Sequence, residues 1–194
     1  MQPDLQDVAP VQGVRASALA RWQKRGWPGP KEEAWRFTRL ASLDKLSLRP
    51  ANASMSVGLH DLVADGLPTT AHVIRFHHGV LVDASLQGAP DGVTLRRLDE
   101  AALIQMIDLL PVDHPITDLS MAAMTSSLLI DVATGAKVIT PIILMFTGDN
   151  QAVSTHPVVL LRVGIAAEAV VADWHQSEVG LSAPLLGVEI ADNA

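Results

Sequence analysis

A three-residue pattern recurs in the C-terminal part of the chain and restricts the fold more than any other feature. An apolar, a charged and an apolar residue stand together, and an alanine follows four residues later. The alanines are 31 and then 27 residues apart, a period typical of stacked solenoid coils. The copies are Ile130-Asp131-Val132 with Ala136, Leu161-Arg162-Val163 with Ala167, and Val188-Glu189-Ile190 with Ala194. The pattern favours a β-solenoid over an ordinary sandwich or barrel.

The composition predicts a soluble protein and excludes several function classes. Apolar residues make up 48% of the 194 positions, enough for a sizeable core. The 14 Lys and Arg are scattered and outnumbered by 21 Asp and Glu, so we expect no nucleic-acid binding. Disulfides and thiolate ligands are excluded because cysteine is absent. We expect a cytoplasmic protein without membrane contact, because the chain shows neither a secretory signal nor an apolar run of about 20 residues.

The N-terminal region, residues 1–70, is predicted to be helical. Val14, Ala18 and Trp22 recur at four-residue spacing and share one helix face. Gly26 opens a breaker that contains two prolines and two glycines, and we expect the first helix to end there.

A second helix is predicted to begin at Pro30, which suits the first helical position. In that helix Trp35 would reach Arg39 one turn later. Trp22, Trp27 and Trp35 suit either a protein-binding surface or packing between the two helices. We favour packing and expect Trp27 to be partly exposed.

Residues 71–126 are predicted to form a small mixed α/β unit. A hairpin with its turn at Gly79 is followed by a strand over residues 93–98. Asp99 is expected to cap a helix that ends at Pro111 and buries Leu103, Met106, Ile107 and Leu110. A short helix over residues 115–125 is expected to bury Ile116, Leu119, Ala123 and Met124.

Three histidines near the hairpin are the best candidates for metal ligands. Strand alternation puts His72 and His78 on one face and His77 on the other, so three-ligand convergence would need a bulge. No Asp, Glu or further His stands at a matching spacing, and a divalent ion needs three or four ligands. We therefore interpret them as solvated histidines of a turn.

A second polar group, Asp173, Trp174, His175 and Glu178, resembles an acid-base constellation. We expect Trp174 to cover the edge of the solenoid and the polar residues to face water. The sequence also contains neither a Gly-x-Ser-x-Gly elbow nor a phosphate-binding loop. We assign no catalytic, cofactor-binding or metal-binding residue in this chain.

The segment GWPGPKEEAWRFT, residues 26–38, resembles the N-terminal motif of the SufD proteins, which belong to the SufB/SufD family. In that motif a proline-containing turn leads into an acidic pair, Ala-Trp, a basic residue, an aromatic residue and Thr. Later segments agree more loosely, among them the hairpin turn before Val80 and Pro90-Asp91-Gly92-Val93. Ser120 departs from the pattern, where an asparagine would be expected.

The resemblance implies an α+β fold in which N-terminal helices and a small mixed unit precede a right-handed parallel β-helix. It also implies a non-catalytic scaffold of the SUF iron-sulfur cluster assembly complex, with SufB and the ATPase SufC as partners. The cluster is assembled by the whole complex. Residues 127–194 would form only the first coils, and the SufC-docking region and the cluster-building residues of the family would lie beyond Ala194. We expect self-association, as a homodimer, through the last coil.

Three alternatives stay open. A β-solenoid enzyme acting on carbohydrate or acyl substrates is disfavoured because neither a hexapeptide period nor paired carboxylates are visible. A small metal carrier would use the histidines of the hairpin. SufB itself is disfavoured because thiolate ligands are missing from the sequence.

Overall fold

The structure is a computed structural model that describes residues 12–38, 40, 43, 49–50, 69–110, 114–148, 153–176 and 180–194. Within these ranges the chain is a mixed α+β protein with three α-helices and three sheets, none of them closed. The helices are α1 (Gln12–Arg25), α2 (Glu100–Leu109) and α3 (Pro115–Ala122). The strands are β1 (Arg49–Pro50), β2 (His72–His77), β3 (Val80–Leu81), β4 (Val93–Arg96), β5 (Ser126–Val132), β6 (Ile142–Thr147), β7 (Val153–Thr155), β8 (Pro157–Val163), β9 (Val171–Gln176), β10 (Leu181–Ser182) and β11 (Leu185–Ile190).

The first sheet has the strand order β4-β5-β8-β11. Strands β5, β8 and β11 are parallel, whereas β4 pairs antiparallel with β5. Asp131 pairs with Arg162, which pairs in turn with Glu189, so the three sequence triplets stand side by side. The paired residues are 31 and then 27 positions apart, as their spacing in the sequence predicted. The superposition of the triplets is confirmed.

The second sheet has the order β3-β2-β6-β9, with β2, β6 and β9 parallel. Strands β2 and β3 form the hairpin predicted at Gly79. His78 and Gly79 have φ values of 47° and 73°, and two positive φ values are what a tight two-residue hairpin turn requires. A third, smaller sheet is parallel throughout and has the order β1-β7-β10.

The main core lies between the first and second sheets. Strands β6 and β8 are nearly continuous runs of Leu, Ile, Val, Met and Phe, and β5 contains the run Leu128-Leu129-Ile130, as expected for parallel strands that are covered on both faces. Phe76 and Phe146 stack with ring centroids 5.0 Å apart inside this core. The members of this core from β5 are Leu128, Ile130 and Val132, all fully buried.

The helices cover the other face of the first sheet. Leu129 and Leu160 point away from the main core and join a second cluster with Leu103, Met106 and Met121. Asp99 caps α2 as predicted, because its side chain accepts a hydrogen bond from the Ala102 N–H at 2.8 Å. In the part of the chain that the structure describes, none of the helices combines the length and the hydropathy needed to span a bilayer.

The second helix predicted at Pro30 is wrong, because only a single 3-10 turn forms, at Glu33–Trp35. Glu32 is held in an extended conformation by its own carboxylate. That carboxylate accepts hydrogen bonds from the Gly29 N–H at 3.0 Å and from the Arg25 guanidinium at 2.8 Å. The Arg25 contact also holds the pKa of Glu32 below its usual value. These bonds close a loop where the sequence suggested a helix start, and Arg39 lies outside the described residues.

The predicted inward face of α3 is only partly correct. Ala123 and Met124 are buried, but Ile116 and Leu119 are half-buried, while Asp118 and Ser120 are buried instead. The polar residues are buried because α3 is covered on more than one side, by α1 and by β8. The predicted strand over residues 93–98 is shorter in the structure, where it ends at Arg96.

Candidate functional site

The two ends of the strand stack differ in construction. At the closed end, which consists of β3 and β4, each sheet terminates in an antiparallel strand. At the open end, which consists of β9 and β11, each sheet terminates in a six-residue strand paired in parallel on one side only. No described strand pairs with the other side of β9 or β11.

The inner face of β11 continues the core beyond the last covered strand. Val188 stands in register with Leu161, and Leu186 stands in register with Val159. Leu161 and Val159 are 8% and 1% exposed, whereas Val188 and Leu186 are 42% and 48% exposed, and Ile190 is 63% exposed. Three aliphatic side chains of β11 thus stand in register with residues of the main core but are themselves exposed to solvent.

The inner face of β9 changes character at the same end. His175 stands in register with Phe146, and their rings stack at 4.8 Å. Asp173 stands in register with Leu144, and its Oδ2 lies 3.1 Å from His175 Nε2. Positions that are apolar in the covered strands are thus polar in β9, and the prediction that Asp173 and His175 face water is confirmed. Glu178 lies outside the described residues.

The charged members of the triplets line up on the helix-covered face of the first sheet. Asp131, Arg162 and Glu189 alternate in sign along the register. The Arg162 guanidinium donates to Glu189 Oε2 at 3.0 Å and also contacts Gln105 on α2. The Glu189 side chain is 56% exposed.

A small cavity of about 40 Å³ lies where the hairpin turn at Gly79 meets the ends of β6 and β9 and the strands β7 and β10. Its volume suits a few water molecules, since one water occupies roughly 10–15 Å³ on this scale. Its polar lining comes from His78, Thr147, Thr155, His175 and Ser182.

Two of the three hairpin histidines contact each other, because the ring centroids of His77 and His78 lie 4.3 Å apart, but the polar partners of His72 and His77 differ. His72 Nε2 lies 3.1 Å from the Ser85 carbonyl oxygen, whereas His77 Nδ1 lies 3.0 Å from Thr147 Oγ1. His78 is only 2% exposed, so the interpretation as solvated histidines is wrong for this residue, which the hairpin turn directs inward. Among the described residues no three Asp, Glu, His or Cys side chains come together as a metal site would require.

His156 is a buried polar residue that the sequence did not single out. It lies between β7 and β8 and is fully buried. Ser120 Oγ donates to the Ala183 carbonyl at 2.9 Å and lies 3.2 Å from His156 Nδ1, so we infer that Nδ1 carries the imidazole proton. Burial lowers the pKa of His156 to about 4. Ser120 thus joins α3 both to the segment between β7 and β8 and to the segment between β10 and β11.

The N-terminal tryptophans contact one another and the short helix. The rings of Trp22 and Trp27 meet edge to face at 5.0 Å, and Trp35 lies 5.4 Å from the His114 ring. Trp27 is half-buried as predicted, but Trp22 and Trp35 are also half-buried and do not form a core. An ion pair of 2.7 Å between Arg21 and the buried Asp118 fixes α1 on α3.

Together, the described residues define a mixed α+β protein in which parallel strands superimpose in register and leave one end unpaired. The chain matches no protein-family model and no curated protein.

Proposed function

We propose that residues 127–194 form the opening coils of a right-handed parallel β-helix. The chain visits the three sheets in a repeated order, as β5, β6 and β7, then β8, β9 and β10, before β11 returns to the first sheet. Parallel crossover connections are right-handed in about 98% of known cases, which supports the proposed hand.

We further propose that the protein is a SufD-like, non-catalytic scaffold of the SUF iron-sulfur cluster assembly machinery, acting in the cytoplasm with SufB and SufC. The observation that carries this proposal is the register of the three triplets, which repeats the same residue pattern on successive strands. A stack of this kind offers a rigid surface of fixed spacing, and it acts by positioning other chains. The cluster is cargo of the whole complex in this proposal, and no residue of this chain is assigned to it.

The motif that carries the family resemblance makes structural contacts here. Trp27 packs on Trp22 of α1, and Trp35 packs on His114 at the start of α3. The loop between them is closed by the Glu32 carboxylate. These contacts support a role of residues 26–38 in docking the N-terminal helix on the unit that precedes the coils.

Co-purification tests the assignment directly. We expect this chain, carrying an affinity tag and expressed with SufB, to retain SufB through a gel-filtration step. SufC should be supplied in a separate arm, so that retention through SufB and direct retention are told apart. The Trp35→Ala variant tests the structural role of the motif separately. If residues 26–38 dock the N-terminal helix, this variant should have a lower thermal stability. A chain that is folded by circular dichroism but retains neither SufB nor SufC would contradict the proposal.

A further inference from the structure

Residues 12–38 carry a charge opposite in sign to that of the whole chain. They contain six Lys and Arg but only two Asp and Glu, a net charge of +4, whereas the chain of 194 residues has a net charge of −7. Helix α1 contains no acidic residue and ends in Lys24 and Arg25. A local excess of cations in an otherwise acidic chain attracts anionic partners to that part of the surface.

Several of these cations serve the fold. Arg15 is buried against the end of α3, whereas Arg21 and Arg25 are held by carboxylates of the same chain. Lys24 and Lys31 are exposed and make no ion pair with the residues that the structure describes. The positive charge that remains for a partner therefore lies at the end of α1 and in the turn that follows it.

Phe37 is the aromatic side chain of this region that projects into solvent. It is 86% exposed, whereas Trp22, Trp27 and Trp35 are half-buried in contacts within the chain. The tryptophans thus hold the N-terminal segment together, and Phe37 is the aromatic residue that another surface can cover.

Arg36 joins the exposed ring to a cation. Its guanidinium lies over the Phe37 ring, with Cζ 4.5 Å from the ring centroid, and it also pairs with Glu33 Oε1 at 2.7 Å. A guanidinium offers paired donors that match a carboxylate, and the ring beside it offers an apolar contact. Arginine and aromatic residues are also the types that contribute most to binding at protein interfaces.

The Glu33 carboxylate occupies the place on Arg36 that an acidic ligand would take. The Glu33 side chain is 81% exposed and the two residues are only three positions apart. An exposed pair of this kind contributes little to stability, because both partners are well solvated when apart. A carboxylate from another chain can therefore replace Glu33 without disturbing the fold.

The chemistry of this surface suits a protein segment better than a nucleic acid or a membrane. Nucleic-acid binding depends on many phosphate contacts, but only two lysines here are unpaired among the described residues. Stable binding to an anionic bilayer needs a broad apolar face or a polybasic cluster, and Phe37 is a single ring. A short acidic segment needs only one aromatic anchor and a few charges.

We propose that Arg36 and Phe37 form a docking site for an acidic segment of a partner protein. A carboxylate of that segment displaces Glu33 from Arg36, and a neighbouring apolar side chain covers the Phe37 ring. Lys24 and Lys31 attract the segment over a longer range. The site is small and exposed, so binding is weak and decreases with salt. The proposal uses only this surface and holds or fails separately from the SUF assignment.

A short fluorescein-labelled peptide of glutamates and phenylalanines tests the proposal by fluorescence anisotropy. We expect Phe37→Ala to weaken its binding about tenfold, because the apolar contact is lost. Ile139→Ala removes a similarly exposed apolar side chain from the strand stack and should leave binding unchanged. A peptide with serine in place of phenylalanine should bind the unmodified chain as weakly as the first peptide binds Phe37→Ala. Equal binding of the first peptide to Phe37→Ala and to the unmodified chain would overturn the proposal.

Glu33→Gln should increase binding, a result that a misfolded variant cannot imitate. It removes the carboxylate that competes for Arg36 and should tighten peptide binding about threefold. Glu168→Gln makes the same change of charge at an exposed ion pair with Lys137 and controls for the net charge of the chain. Equal tightening by both substitutions would indicate general attraction between opposite charges and would overturn the site.

Two other anionic ligands separate a protein segment from its rivals. Vesicles of phosphatidylglycerol and a single-stranded oligonucleotide should bind more weakly than the phenylalanine peptide, and Phe37→Ala should not change their binding. Tighter binding of either one, with a loss in Phe37→Ala, would assign the surface to a membrane or to nucleic acid and overturn the proposal. A folded chain that binds none of the three ligands would overturn it as well.

Discussion

The terminal strands at the closed end and at the open end of the stack differ in length and in the side chains that they expose. At the closed end the last strands are short, two and four residues in β3 and β4, and Arg96 on β4 is paired with Asp99 at 2.9 Å. At the open end the last strands are both six residues long, and β11 leaves three aliphatic side chains exposed on its inner face. Short, charged strands blunt an edge, and long aliphatic ones invite pairing.

The contrast shows that a repeated sequence pattern does not by itself indicate which of its residues are buried. Val132 and Ile190 have the same place in the triplet, yet Val132 is fully buried and Ile190 is 63% exposed. Residues at the first and third places of the triplet are apolar in each copy, but they are buried only where strands on both sides pair with their own strand.

The largest expected difference between covered and open strands is in the stability cost of truncating one column of side chains. Ile130→Ala should lower the free energy of unfolding by about 2–5 kcal/mol, because a fully buried side chain leaves a cavity. Val188→Ala, in the same column on β11, should cost less than about 1 kcal/mol. Urea unfolding of both variants at a concentration where the chain is monomeric makes the comparison. Equal losses would mean that the open end is covered in solution.

Acid should weaken the buried contact between His156 and Ser120. Burial lowers the pKa of this histidine to about 4 from the ordinary 6.5. The contribution is fully present above pH 6.5 and is lost as the pH falls toward 4, because the unfolded chain then binds a proton that the folded chain excludes. The loss should reach about 3 kcal/mol.

Unfolding free energies at pH 7 and pH 4.5 measure this loss. His156→Gln should remove much of the pH dependence. A His156→Gln protein that keeps the full pH dependence would show that other groups are responsible.

Ser120→Ala should loosen the attachment of the last coil to α3. The substitution leaves the Ala183 carbonyl and His156 Nδ1 without their partner in a buried place, at a cost of about 1–3 kcal/mol. Hydrogen exchange should report the change most strongly in β10 and β11, which flank Ala183 in the sequence. Ser17→Ala, at an exposed position of α1, is the control. Uniform loss of protection in both sheets would argue against a local role.

The smallest effect is expected for the exposed ion pair at the open end. Glu189→Gln should lower stability by less than about 1 kcal/mol, because the Arg162–Glu189 pair is partly solvated and is screened by salt. Thermal unfolding in low and high salt should show a difference between this variant and the unmodified chain only in low salt. A loss of several kcal/mol would mean that Glu189 supports more than one pair.

The sequence predicted the stacking of strands more successfully than the packing of helices. The triplets could be aligned because a charged residue between two apolar neighbours marks the register near the end of each strand. The hairpin at Gly79 and the cap at Asp99 were predictable because each depends on a local backbone requirement. The parallel pairing of β2 with β6 was not predicted, since it joins segments about 70 residues apart with no local signal.

The failures on the helices have a common physical cause. Helical periodicity assumes one buried face, but α3 lies against both α1 and β8, so that Asp118 and Ser120 are buried as well. At residues 30–35 a side-chain hydrogen bond from Gly29 to Glu32 replaced the helix start that the local pattern indicated. His156 gave no signal in the sequence, because its importance comes from contacts with Ser120 on α3.

The corner between β5 and β6 shows how the length of a coil can vary. Paired residues are 31 positions apart from β5 to β8, as for Ser126 and Pro157, but 29 apart from β6 to β9, as for Ile142 and Val171. The difference arises in the corner that contains Ile139, which projects into solvent at 91% exposure. Insertions and deletions can therefore accumulate at this corner during evolution while every strand keeps its neighbour, and a foreign peptide placed beside Ile139 should be displayed without disturbing the strands.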